Sequence, residues 1–161
     1  MEDLIKTFYT AFNNLNAEQM VACYHPDVVF KDPAFGTLRG ERAKQMWRML
    51  CSSQEGENFK VTFSDLTVDN QIASVNWEVS YVFGSPKKQV HNQVAAVFTF
   101  KDGLIYTHTD DFNLHKWAKA AMGFKGALLG GTAYFKTKFQ HKTNAKLDAF
   151  IKKQKLKATE S

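Results

Sequence analysis

The sequence predicts an α+β fold in which helices and strands are segregated along the chain and the sheet is mostly antiparallel. Three observations carry this. Apolar residues recur at helical spacing in the first fifty residues, from Leu4 to Leu50. After Asn58 they alternate with polar residues instead, which is the period of a half-buried strand. Lys101-Asp102-Gly103, set between two such runs, is a hairpin turn signal. The chain has 161 residues, 44% of them hydrophobic, enough for one core without disulfides or metals.

The elements follow in order. Leu4, Ile5, Phe8, Phe12 and Leu15 form the stripe of a first helix, which Asn13 and Asn14 end. Asn16 suits the N-cap of a short helix running through Tyr24, closed by Pro26, because the residue before a proline avoids the helical region. Val28, Val29 and Phe30 predict a short strand followed by Lys31-Asp32-Pro33. Phe35-Gly36-Thr37 and Arg39-Gly40 read as turns. A third helix runs from Glu41 to Cys51 with Ala43, Met46, Trp47 and Leu50 on one side, and Ser52 to Asn58 reads as a polar loop. Phe59, Val61 and Phe63 mark the next strand, and Val75, Trp77, Val79, Tyr81 and Phe83 the one after it. Gly84-Ser85-Pro86 turns the chain into a long strand from Gln89 to Phe100, and Leu104 to Asn113 is the last. Trp117, Ala120, Ala121 and Met122 suit a short helix, and Gly123 to Gly131 a loose glycine-rich connection. Phe135, Phe139, Leu147, Phe150 and Ile151 mark a final amphipathic helix whose other face is mainly lysine.

Several classes are excluded. No apolar stretch approaches the ~20 residues a membrane helix needs. The opening Met1 to Thr10 has two early acids and no apolar block, so it does not read as a secretory signal. Cys23 and Cys51 are too few for a disulfide scaffold and read as reduced, packed thiols, so a cytoplasmic location is expected. The net charge of +5 is unevenly spread: residues 1–115 hold 10 Lys/Arg and 14 Asp/Glu, whereas residues 116–161 hold 11 Lys and two acids, Asp148 and Glu160. A lysine-rich helix raises nucleic-acid and anionic-membrane readings. Phe135, Phe139 and Phe150 keep helical spacing instead of forming a stacking platform, so the helix is expected to pack on the body or a second subunit with its lysines solvated. Neither a nucleic-acid nor a membrane partner is expected.

The chain resembles the nuclear transport factor 2-like superfamily, in particular its branch of SnoaL-like polyketide cyclases and ketosteroid isomerase-related proteins. The matching residues are Phe8-Tyr9-Thr10-Ala11-Phe12-Asn13, His25-Pro26-Asp27-Val28-Val29-Phe30, Asp32-Pro33 and Leu38-Arg39-Gly40 in the first half. In the second half they are Phe98-Thr99-Phe100-Lys101-Asp102-Gly103-Leu104-Ile105 and His108-Thr109-Asp110-Asp111-Phe112. Their order covers residues 1–122, and residues 123–161 read as a lysine-rich helical extension of the same unit. The resemblance implies a cone, with a strongly curved sheet wrapped against helices around an apolar pocket, commonly dimeric through the sheet. It implies a small apolar ligand, and no metal or cofactor.

Within that frame two carboxylates stand out. Asp32 follows an apolar run, and apolar walls raise a carboxyl's pKa toward a general-base range. It matches the proton-abstracting aspartate of ketosteroid isomerases, and Asp-Pro is equally ordinary turn chemistry. Asp110 matches the acid/base aspartate of SnoaL-like cyclases. Strand alternation puts His108, Asp110 and Phe112 on one face and Asp111 on the other, so His108 can tune or orient Asp110. His91, on the neighbouring strand, is a candidate for the same cavity, and Trp47, Trp77, Tyr81, Phe98 and Phe112 are candidates to line it. His108, Asp110 and His91 would also compose a 2-His-1-carboxylate set, which the resemblance argues against.

The departures from the resemblance are specific. The isomerases' oxyanion tyrosine falls on Phe8, beside Tyr9, and their second oxyanion acid on Ala96. The epoxide hydrolase relative needs an arginine between two aspartates, and Arg39, Arg42 and Arg48 all lie in or near the third helix. Both of those activities are therefore disfavoured. The expected function is binding of a small apolar molecule with cofactor-free isomerisation or cyclisation. The alternative is a non-catalytic ligand carrier or dimeric interaction module on the same fold.

Overall fold

The computed structural model describes residues 1–54, 58–85 and 87–159. It is an α+β cone. Helices α1 (Glu2–Asn13), α2 (Ala17–Ala22) and α3 (Glu41–Ser52) lie beside one six-stranded sheet. Its strands are β1 (Tyr24–Asp32), β2 (Gly36–Arg39), β3 (Lys60–Asp69), β4 (Ile72–Phe83), β5 (Lys88–Lys101) and β6 (Leu104–Asp111). The order across the sheet is β2-β1-β6-β5-β4-β3, and β1 with β6 is the parallel pair. Helices α4 (Leu114–Met122), α5 (Phe124–Leu129) and α6 (Ala133–Thr159) complete the chain.

The amphipathic patterns account for the layers. Ile5, Phe8, Tyr9 and Phe12 of α1 and Ala43, Met46 and Trp47 of α3 are buried on the inner face of the sheet. Val61, Val75, Trp77, Val94, Ala96 and Phe98 project from that face in alternation with exposed neighbours. Curvature comes from irregularities in the ladder. The register of β3 on β4 shifts between Ser64 and Thr67, where Asp65 has φ 54°, and β5 on β6 shifts after Thr99. A bulge of this kind bends its strand and increases the local twist.

Several local expectations are revised. Pro26 does not end a helix. The second helix stops at Ala22 with Cys23 as its C-cap, and Pro26 sits inside β1, in the stretch between Tyr24 and Val29 where the register on β6 shifts. A proline cannot donate to a ladder, so an irregular stretch is where a strand tolerates one. The segment Gly36–Arg39 is a strand paired with β1, not a pair of turns. The glycine-rich connection contains helix α5. Pro86 and part of the polar loop after α3 lie outside the described residues. The hairpin at Asp102-Gly103 is as expected, with both residues at positive φ.

Helix α6 returns across the cone to α3 and the β1–β2 turn. Gln140 Nε2 donates to the Pro33 carbonyl, Thr143 Oγ1 to Ala34 and Asn144 Nδ2 to Phe35. Arg42 of α3 pairs with Asp148 and also donates to Asn144. Leu147 is fully buried in the main core. Beyond it the lysine-rich end is exposed. Among the described residues no helix is long and apolar enough to cross a membrane. Leu147→Ala is expected to lower the unfolding free energy by about 2–5 kcal/mol in urea denaturation. The exposed Leu156→Ala should change it by no more than about 0.5 kcal/mol.

Candidate functional site

The site begins on β6. His108 and Asp110 point inward while Thr109 and Asp111 are exposed. His108 has no exposed surface and Asp110 is 5% exposed. A buried imidazole needs partners for both ring nitrogens, and both have them. The Tyr24 hydroxyl lies 2.6 Å from His108 Nδ1, and His108 Nε2 lies 2.9 Å from Asp110 Oδ1. Trp47 Nε1 donates to the Tyr24 hydroxyl at 2.8 Å, and Trp77 Nε1 donates to Asp110 Oδ1 at 3.1 Å.

The direction of this chain follows from its ends. An indole N–H can only donate, so the Tyr24 oxygen accepts from Trp47. Its own proton is then free to go to His108 Nδ1. Burial pushes the Tyr24 hydroxyl well above its ordinary pKa, so that proton stays in place. His108 Nε2 therefore carries the ring hydrogen and donates it to Asp110. The ring is clamped by Phe98 at 4.2 Å between centroids, Phe30 at 5.1 Å and Phe8 at 5.4 Å. Both protein hydrogen bonds to Asp110 use Oδ1, so among the described residues Oδ2 has no protein partner.

Asp110 opens into a cavity of about 380 Å³ that Asp32 also lines. Its walls are mostly apolar and include Trp47, Trp77, Tyr81 and Phe112. Asp32 stands at the end of β1, where its Oδ1 accepts the Phe35 backbone N–H at 2.5 Å. The residue therefore caps the turn and lines the cavity at once. Burial pushes its carboxyl up to about 7; the Phe35 N–H opposes this and the charge of Asp110 adds to it. Trp117 of α4 also lines the cavity and donates to the Tyr81 hydroxyl at 2.6 Å.

Asp32, Asp110, Trp47, Trp77, Tyr81 and Phe112 are thus brought together around one space, with His108 directly behind Asp110. Two candidates are not. His91 lies on the outer face of the sheet, where it bonds to Ser80 and faces Glu78. Its neighbour Asn92 takes the inward position and lines the cavity. The 2-His-1-carboxylate set consequently does not converge. Among the described residues no three His, Cys, Asp or Glu side chains are grouped to hold a metal ion. Phe98 is inward-facing but fully buried against His108, so it is packing behind the site and not lining. Tyr9 packs on Trp77, and its buried hydroxyl has no partner among the described residues. None of the three arginines lines the cavity.

Sequence reasoning missed Tyr24, which it placed at a helix end, and Asn92. It also missed the contribution of α6. For Asn92 the signal was present: Val90 and Val94 are the buried residues of that strand, and alternation from them points 92 inward and 91 outward.

The chain belongs to the SnoaL-like domain family, whose model matches residues 5–108. Solved structures share the fold. An epoxide hydrolase from M. tuberculosis, itself called LEH-like, is 23% identical with a TM-score of 0.61, covering 80% of this chain and 89% of its own. A Xanthomonas campestris protein described as a polyketide cyclase is 19% identical with a TM-score of 0.61, covering 74% and 94%. TerC, co-crystallized with polyporic acid, is 15% identical with a TM-score of 0.62, covering 74% and 95%. Comparison with curated protein sequences gives no match.

The Asp32 carboxyl makes stability depend on pH. Its folded value of about 7 lies above the ordinary 3.8, so the folded state keeps a proton that the unfolded chain has released. Its contribution is complete below pH 3.8 and falls as pH rises to about 7, at up to about 1.4 kcal/mol per pH unit. Asn at this position keeps the acceptor for Phe35 and removes the titration. Urea unfolding at about pH 5 and about pH 8 should show Asp32→Asn gaining stability relative to wild type at the higher pH.

Proposed function

We propose that the protein binds a small apolar molecule in its cone and moves a proton on it without a cofactor, as an isomerase or cyclase does. The observation supporting this reading is that two carboxyls of unlike environment open into one apolar cavity. Asp110 offers a carboxylate oxygen to a carbon acid beside a carbonyl. His108 and Trp77 hold the other oxygen, so His108 is a positioning residue. Asp32, titrating near neutrality, supplies a proton to the carbonyl oxygen as the C–H proton leaves. Return of the Asp110 proton to another carbon, as Asp32 takes back the proton from the enol oxygen, completes an isomerisation with no net proton consumed. Trp47, Trp77, Tyr81 and Phe112 hold the apolar body and exclude water. The reading includes a homodimer through the outer face of the sheet, where Val97 and Ile72 are exposed.

A second reading is favoured by Phe8 and Ala96, which stand where the resemblance places oxyanion donors. On that reading the cone binds its ligand and does no chemistry on it. One experiment separates the two. The bicyclic ketone 2-tetralone is an apolar carbon acid, and its α-hydrogen exchange in D2O is followed by NMR. All three tryptophans line the cavity, so quenching of their fluorescence reports binding independently. Wild type is expected to accelerate exchange, with a rate that changes as Asp32 titrates near pH 7. Asp110→Asn should lose about 100-fold or more of that acceleration with binding retained. Binding without accelerated exchange in wild type would sink the catalytic reading and leave the carrier.

A further inference from the structure

Helix α6 lies outside residues 5–108, the span of the family match, yet it forms one wall of the cavity. The residues it contributes are Phe139, Lys142, Thr143 and Lys146. Their spacing of i, i+3, i+4 and i+7 is that of a single helix face, so the wall is a continuous stripe of one apolar ring and three polar side chains. The Thr143 hydroxyl is already committed, to the carbonyls of Ala34 and Gln140. The two lysines are not. Neither makes an ion pair or a hydrogen bond with any described residue, and Asp148, the acid of α6, is held by Arg42.

Both lysines are exposed, so they stand at the solvent edge of the cavity. Two like charges at i and i+4 repel, and here they flank an apolar space. Neither lysine pairs with Asp32 or Asp110 within 4.0 Å, and Asp110 is engaged by His108 instead. An anionic group on the ligand would meet both ammonium groups while its apolar body reached the tryptophans.

We propose that the cavity takes an amphipathic organic anion: an apolar ring system bearing a carboxylate or sulfonate that sits at Lys142 and Lys146. The inference rests on the ligand-binding reading and names its substrate class. It also gives the lysine-rich helix a function at the cavity mouth, in addition to its packing on α3.

Two dyes that differ by a single acidic group test this. 1-Anilinonaphthalene-8-sulfonate and N-phenyl-1-naphthylamine share the same ring system, and only the first carries the sulfonate. Binding of each to the full chain is followed by energy transfer from tryptophan, which requires the dye to lie near the cavity. Wild type should bind the sulfonate more tightly, with an affinity that weakens as salt is raised. The double variant Lys142→Gln/Lys146→Gln should lose about 3- to 30-fold in affinity for the sulfonate and less than about 2-fold for the neutral dye. Unchanged binding of the neutral dye also shows that the variant is folded. If the double variant does not fold, Lys142→Gln alone is expected to show the same selective loss at smaller size. Equal affinity of wild type for the two dyes, or equal losses for both in the variants, would overturn the proposal while leaving the cavity as a binding site. Failure of both dyes to bind wild type would overturn both.

Discussion

His108 is an imidazole with no access to solvent, and the cone is arranged so that each of its nitrogens has a partner. Meeting that constraint draws on most of the fold. Tyr24 comes from the start of β1, Trp47 from α3, Asp110 from β6 and Trp77 from β4. Phe8 of α1, Phe30 of β1 and Phe98 of β5 close the ring's faces. The parallel pairing of β1 with β6, which puts Phe30 directly beside His108, is part of the same requirement. A buried polar chain of this kind is costly when incomplete and rigid when complete. Here each donor in the path from Trp47 to Asp110 finds one acceptor, so the path has one consistent direction.

The consequence for the cavity is that Asp110, which lines it, has one oxygen fixed by two N–H donors and the other without a protein partner among the described residues. Asp32 reaches that space from a different element and by a different device, a turn that its own side chain closes. The two carboxyls therefore differ in support. One is held by two N–H donors from large aromatic side chains; the other keeps its proton to about pH 7 because burial disfavours its charge. A carboxyl that keeps its proton beside one held by N–H donors is what the proposed proton transfer would use. The aromatic walls are core that was left unfilled, closed on one side by α4 and α6.

How much of this can be read from sequence depends on the range of the interaction involved. The period-2 strands, the Asn16 cap, the Asp102-Gly103 hairpin and the shared face of His108 and Asp110 are local properties, and they appear where expected. Local signals misled where a residue had a second role. Pro26 suggests a helix stop, but a strand accommodates it at a register shift. Gly36 suggests a turn, but it is the first residue of a strand paired with β1. His91 attracts attention by its chemistry, although alternation from Val90 and Val94 places it outside. The link of Tyr24 to His108 spans 84 residues of sequence, and the reach of α6 to the β1–β2 turn spans more than 100. Contacts at such separations leave no periodicity in either segment, so neither the partner of His108 nor the lysine wall could be found without the fold.

The central claim is that Asp32 and Asp110 line a single cavity and that the charge of Asp110 acts on Asp32 there. NMR titration of the Asp32 side-chain carboxyl carbon, in wild type and in Asp110→Asn, measures this most directly. The account predicts a midpoint near 7 in wild type and a lower midpoint in the variant, because removing the Asp110 charge removes one of the influences that keep Asp32 protonated. A wild-type midpoint near the ordinary 3.8, or one that Asp110→Asn leaves in place, would contradict it.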